Sequence, residues 1–311
     1  MKALTLSVAL FVLLGLAPGL SGSEHAELAH SGAFGSHPVK VLLLGDSIAL
    51  TLGIGLAHDA KVNYGIDIDN KSTLGCDLDP SLEIITSGKP GPATPGCPEW
   101  RELWPFLTAS VQPDVVVLGV GRWEVGDHFY DDQWVHIGDP LWDNHVAADL
   151  KQAIAIFNLF GAKVVLLTLP YLDPATRQPD GQPWPENSME YISRFNQLTR
   201  QVAKSMPHEV TVIDLNKMLS PNGKYDTVVD GVRVRWSDGV HVSYAGGELL
   251  QRSILPTIDR IGLADERRVK VTGERLHQKV LAEQRALAAA ARAKAERKHY
   301  AREQVRKQLD W

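Results

Sequence analysis

The stretch Val39-Lys-Val-Leu-Leu-Leu-Gly-Asp-Ser47 decides the architecture. Its first six residues are a short apolar run of the kind found in a strand buried on both faces. Gly45 ends the run, and the segment from Ser47 to Ala57 can form a helix. Working outward, the same alternation recurs. It predicts further strands over 62–68, 114–118, 163–169 and 209–213, and helices over 99–110, 145–160, 189–205 and 243–261. The segment 228–235, around Asp230-Gly231, reads as a β-hairpin. Five strands separated by helices imply an α/β fold, a three-layer, flavodoxin-like doubly wound parallel five-stranded sheet. Ligands of such sheets bind at the carboxyl ends of the strands.

Composition agrees with one ordinary globular domain. The 311 residues are 44% hydrophobic and 22% charged, which argues against a disordered chain and a multi-span membrane protein. A net charge of -5 gives no global reason to expect nucleic-acid binding.

The ends of the chain differ from the middle. Lys2 precedes the uncharged run Ala3–Leu16, and small residues follow at Ser21, Gly22 and Ser23, so residues 1–23 read as an export signal or a short anchor. The run is shorter than the roughly 20 residues of a spanning helix. The protein is therefore expected to be exported, either secreted or held in the cell envelope. Residues 24–37 have no period and read as a linker. After the domain at 38–262, the tail 263–311 is basic and Ala-rich. From Ala264 onward it carries 13 Lys/Arg against 7 Asp/Glu, and it reads as a long exposed helix, either simply solvated or a basic arm for an anionic envelope surface or a partner. In an oxidising compartment Cys76 and Cys97, 21 positions apart, are expected to pair. Closing that loop contributes roughly 3 kcal/mol on the chain-entropy model.

Two segments at strand ends carry the chemistry. Gly45-Asp46-Ser47 puts a serine on a tight turn ahead of a helix N-terminus, where backbone N–H groups face any anion formed there. A serine at this place would also serve as a helix N-cap. Asp238-Gly-Val-His241 precedes the last helix and supplies an acid and a base three positions apart, which a serine nucleophile requires. One segment closes the first strand and the other follows the last, so a doubly wound sheet brings both to one edge. There is no G-x-S-x-G elbow.

Gly-Asp-Ser after the first strand with D-x-x-H before the last helix resembles the SGNH (GDSL-like) serine hydrolases over residues 38–262. The resemblance implies Ser47 as nucleophile, His241 as general base and Asp238 as the residue orienting it. It also places the N–H groups of Ser47 and Gly75, the latter in Ser-Thr-Leu-Gly75-Cys76, at the oxyanion. The third block departs from the family. Where most members have G-x-N-D, this chain has Gly121-Arg122-Trp123-Glu124, so Arg122 or Trp123 would have to replace the asparagine donor. That variant is similar to the SGNH domains fused to type 3 membrane acyltransferases, which work on O-acylation of cell-surface carbohydrate.

The resemblance thus implies an exported esterase or O-acyltransferase acting on acylated carbohydrate or a small ester, with a membrane acyltransferase as a conceivable partner. The lost asparagine keeps open the alternative of a silent glycan-binding module. Residues 122–145 read as a long aromatic and acidic loop leaving the same strand edge, either a glycan-facing wall or a lid whose aromatics bury themselves. Asp46, Trp123, Glu124 and Trp134 are the candidate substrate contacts. Asp127, His128, Asp131, Asp132 and His136 match no two-His metal spacing, and Glu124 replaces the third glycine of a dinucleotide fingerprint. No metal or other cofactor is expected.

Overall fold

The computed structural model describes residues 38–79, 83–92, 97 and 99–265. The expected leader, the linker, and the expected basic helix beyond Asp265 lie outside the described residues. Strand β1 (Val39–Gly45) is followed by α1 (Ser47–Ala57), α2 (Ala60–Tyr64) and β2 (Ile66–Asn70). Next come β3 (Glu83–Thr86), β4 (Lys89–Pro92), α3 (Trp100–Val111) and β5 (Val115–Gly119). A hairpin of β6 (Asp127–Tyr130) and β7 (Gln133–Val135) leads into α4 (Pro140–Leu159) and β8 (Lys163–Leu167). The chain closes with α5 (Met189–Ser205), β9 (Val210–Ile213), α6 (Leu215–Leu219), the short hairpin β10 (Val228–Val229) and β11 (Val232–Arg233), and α7 (Tyr244–Asp265).

The main sheet has the order β2-β1-β5-β8-β9, and all its pairs are parallel. This is the expected doubly wound sheet, with the order reversing between β1 and β5. Their registered ends, Gly45 opposite Gly119, lie at that switch point, where open α/β sheets bind ligands. The strands are apolar on both sides because helices cover both faces: Leu42, Leu44, Val116 and Val165 are all fully buried. Helices α1 and α7 cross where two glycines meet. A methyl group on Gly55 would come within 2.7 Å of the Gly247 Cα, so only glycine lets the helix after Ser47 lie directly on the helix after His241. Among the described residues no helix is long and apolar enough to cross a membrane.

Three expectations are corrected. The second strand is not 62–68: residues 60–64 are helical, and Gly65, at φ 66°, ends that turn by donating its N–H to the Ala60 carbonyl before the strand begins at Ile66. The alternation read across 62–68 was helix and strand run together, and Val62 is in fact exposed. The 122–145 segment is not only a loop. Its hairpin joins β3 and β4 in a second, antiparallel sheet of order β4-β3-β6-β7. Finally, α4 starts five residues earlier than expected, with Asp139 at its N-cap and Pro140 in its first turn.

Candidate active site

The Gly-Asp-Ser turn is held by backbone contacts that explain each residue type. Gly45 sits at φ 140°, and a Cβ there would lie 1.9 Å from the Gly119 carbonyl oxygen. That oxygen instead accepts the Asp46 N–H at 3.0 Å. Asp46, 1% exposed, is the N-cap of α1: its Oδ1 accepts the N–H groups of Ile48 (2.8 Å) and Ala49 (3.3 Å), and its Oδ2 accepts the Arg122 N–H (3.3 Å). Burial pushes its carboxyl up to about 6, although those three amides and the Arg122 charge pull the other way. Capping therefore falls to Asp46 and not to Ser47. The Ser47 side chain has no hydrogen-bond partner among the described residues, and its residue stays just open to solvent at 8%.

The loop after β2 lies against this turn, because Lys71 and Thr73 donate their N–H groups to the carbonyls of Leu43 and Gly45, both at 2.8 Å. Gly75 follows in a left-handed conformation, φ 68°. Neither its N–H nor that of Ser47 meets an acceptor among the described residues. Cys76 and Cys97 are joined in a disulfide, tying this loop to the start of α3.

The Asp238–His241 turn lies across a cleft of about 260 Å³ lined by Thr51 and Ile54 of α1 together with Trp236, Asp238, His241 and Tyr244. Asp238 Oδ2 is 2.6 Å from His241 Nδ1, and Asp238 Oδ1 accepts the N–H groups of Val240 and His241. Partial burial opposes ionisation of Asp238, but His241 and the two amides together outweigh it and hold the carboxyl below its usual range. The pairing leaves Nε2 as the nitrogen free to meet a hydroxyl. Thr51, which donates its hydroxyl to the Ser47 carbonyl at 3.0 Å one helical turn on, lines the same cleft as His241. No hydrogen bond joins Ser47 Oγ to His241 among the described residues.

Sequence reasoning missed what holds the Asp238–His241 turn. Arg235 is completely buried; it donates to the carbonyls of Tyr171 (2.9 Å) and Val240 (3.2 Å) and lies over the Tyr225 ring. Burial lowers its guanidinium to about 10. Gly239 packs against the Asp173 carbonyl, where a Cβ would fall 2.0 Å from the oxygen. An arginine six residues before a histidine carries no local signal of this role.

The third block divides. Glu124 is buried: its Oε1 accepts the Leu78 N–H at 3.0 Å, and burial, then Asp77, pushes its carboxyl well above the usual range. Asp46 and Glu124 are thus spent on backbone amides beneath the surface, which corrects their reading as substrate contacts. Trp123 has its indole N–H buried without an acceptor. The Arg122 guanidinium lies 5.4 Å over the Trp123 ring and forms no ion pair among the described residues. Burial lowers it, while Glu186 and Asp46 raise it. Trp134 is exposed on β7 in edge contact with exposed Phe129, on the second sheet, and does not line the His241 cleft. His128 is buried, its imidazole lowered to about 4 by burial, and its Nε2 meets the Trp123 carbonyl.

A model of the SGNH domain (fused to AT3 domains) matches residues 19–256. No curated protein matches the chain in sequence. Similar solved structures include TesA, 19% identical over 71% of this chain and 99% of that chain, with a TM-score of 0.43. LAE5, an α/β hydrolase enzyme from the metagenome of Lake Arreo, Spain, is 14% identical over 74% of this chain and 99% of that chain, TM-score 0.48. Axe2, an acetylxylan esterase from Geobacillus stearothermophilus, is 17% identical over 71% and 94%, TM-score 0.46.

Proposed function

Because this chain belongs to the SGNH domain family and is an SGNH-type hydrolase, we propose that it is an exported serine esterase or O-acyltransferase acting on O-acyl groups, acetyl foremost, of cell-envelope carbohydrate. The observation that carries the reading is the cleft in which the helix begun by Ser47 meets the His241–Asp238 pair. Ser47 Oγ attacks the ester carbonyl while His241 Nε2 takes its proton, and Asp238 holds the imidazole in the tautomer that allows this. The carbonyl oxygen becomes an oxyanion facing the N–H groups of Ser47 and Gly75, with Arg122 as third donor. Arg122 is favoured over Trp123 because its guanidinium forms no ion pair among the described residues and can turn to a new anion, whereas the Trp123 indole N–H is shut in.

Collapse of this intermediate breaks the ester bond, and the leaving alkoxide takes the proton from His241. Water or a carbohydrate hydroxyl then attacks the acyl-enzyme by the same route in reverse. Exposed Ile54, Trp236 and Tyr244 around the cleft form an apolar rim suited to a short acyl chain. Trp134 and Phe129 offer faces for stacking on sugar rings.

A serine-directed fluorophosphonate tests this directly. Labelling of the wild type that disappears in Ser47→Ala, with folding retained, is the expected result. Absence of labelling together with no turnover on an ester panel would sink the reading in favour of a glycan-binding module. Product analysis with a small acyl ester and a sugar acceptor then separates hydrolysis from transfer.

A further inference from the structure

Behind the loop that carries Gly75, a second group of side chains converges which the proposed reaction does not use. Asp79 Oδ2 lies 2.6 Å from His145 Nε2, and Asp149 Oδ2 lies 3.7 Å from the same nitrogen. One ligand atom from each of the three falls within 4.8 Å of the others. We propose that Asp79, His145 and Asp149 form a binding site for a divalent cation with mixed nitrogen and oxygen preference, Zn²⁺ before Mn²⁺, that fastens this loop to α4.

Four observations carry the inference. First, Asp149 is only 5% exposed and its Oδ2 has no hydrogen-bond partner among the described residues. Its other oxygen is held by Arg101 at 2.5 Å, so the open lone pairs are those facing His145. An orphaned buried carboxylate oxygen is costly unless a cation or donor meets it. Second, the charge is unbalanced. Asp77, fully buried with an orphaned Oδ2 of its own, adds a third carboxylate beside Asp79 and Asp149. Against these three acids, Arg101 and His145 are the basic groups that pair with them among the described residues.

Third, the ligands are pre-set. His145 and Asp149 are one turn apart on α4, and the imidazole packs against the rings of Tyr130 and Trp142 at 4.4 and 5.1 Å. Asp77 Oδ1 accepts the Asp79 N–H at 3.0 Å. Such outer contacts are what orient metal ligands. Fourth, Asp79 and His145 are only partly buried, which leaves an entry path and room for water on the remaining positions. The adjustments required are small: two ligands on a common zinc stand roughly 3.3 Å apart for bonds of about 2.0–2.1 Å, so Asp79 must draw back from His145 by somewhat over half an ångström while Asp149 closes in on it.

The imidazole disfavours Ca²⁺ and Mg²⁺, which take oxygen ligands. The site is independent of the nucleophile, so Ser47→Ala should bind the ion as the wild type does.

The test is calorimetric titration of the chelator-treated full chain with Zn²⁺, and separately with Mn²⁺ and Ca²⁺, alongside thermal unfolding and the visible spectrum of the Co²⁺ form. One Zn²⁺ per chain, a raised melting temperature, and affinity weakened at least about tenfold in Asp149→Asn and in His145→Gln are expected. The Co²⁺ spectrum of the wild type should report mixed nitrogen and oxygen coordination, which keeps the test decisive should either variant misfold. Wild-type protein that binds no Zn²⁺, or that binds it equally in both folded variants, overturns the proposal; in that case His145 acts only as the ionic partner of Asp79 and Asp149.

Discussion

The turn carrying Ser47 opens the helix whose Thr51 and Ile54 line the cleft of His241, but that turn and the turn carrying His241 are held in different ways. The first is set into the core. Gly45 touches the end of β5, Asp46 is buried and saturated by amides, and the strand leading in is covered on both faces. The second is at the surface, with the Asp238 and His241 side chains 48% and 29% exposed. Its order comes from one buried arginine and one glycine docked on the 170–174 loop. In the proposed reaction the nucleophile has to be positioned to a fraction of an ångström against its oxyanion donors, whereas the base must move a proton and admit substrate. Rigidity on one side and accessibility on the other suit those tasks.

This contrast can be attacked directly. The largest effect is expected from Gly45→Ala: its Cβ would overlap a backbone oxygen that has nowhere to retreat, so folded protein should be lost or destabilised by more than about 4 kcal/mol, as read by circular dichroism and thermal melting. Retention of a native melt would show that the nucleophile turn is softer than described. Asp238→Asn comes next. The corresponding change lowers turnover roughly 10⁴-fold in serine proteases, and ester hydrolysis should fall comparably here with the melt nearly unchanged.

Arg235→Gln should follow, with kcat lower by about 10–100-fold, KM little altered, and faster amide exchange confined to residues 236–242 while β1 keeps its protection. Exchange that rises equally in β1 would erase the distinction between the two turns.

The smallest effect concerns pH. A carboxyl raised by folding binds its proton more tightly in the native state, so its contribution is full at acid pH and is lost as pH climbs through the folded value. Asp46, at about 6, and Glu124 therefore make the wild type less stable at pH 8 than at pH 5. Glu124→Gln keeps an acceptor for the Leu78 N–H and should flatten that dependence, raising the melting temperature at pH 8 by a few degrees, about 2–4 °C per kcal/mol regained. A steeper fall in Glu124→Gln would contradict the upward shift that burial gives this carboxyl.

Much of the fold was legible because buried parallel strands leave compact apolar runs: β1, β5, β8 and β9 fall within two residues of their expected places, and α5 spans the expected 189–205. The second sheet was hidden by its own residues. β4 is Lys-Pro-Gly-Pro, tolerable only at a sheet edge, and β6 and β7 hold four and three residues. Ser47, Asp238 and His241 stood out by their position at strand and helix ends. Arg235 did not, because its role lies in carbonyls contributed by Tyr171 and Val240, and the grouping of Asp79 with His145 and Asp149 spans 66 and more positions.

From the order of its residues alone, the chain specified a doubly wound sheet and the edge at which its reactive side chains would gather, because hydrophobic period and turn chemistry are local and the handedness of βαβ units does the rest. Which carboxylates are buried as props, which arginine supports the base, and which acids crowd around His145 were decided only by the folded molecule. Burial, desolvation and charge pairing are properties of neighbours in space, and here those neighbours come from segments dozens of residues apart.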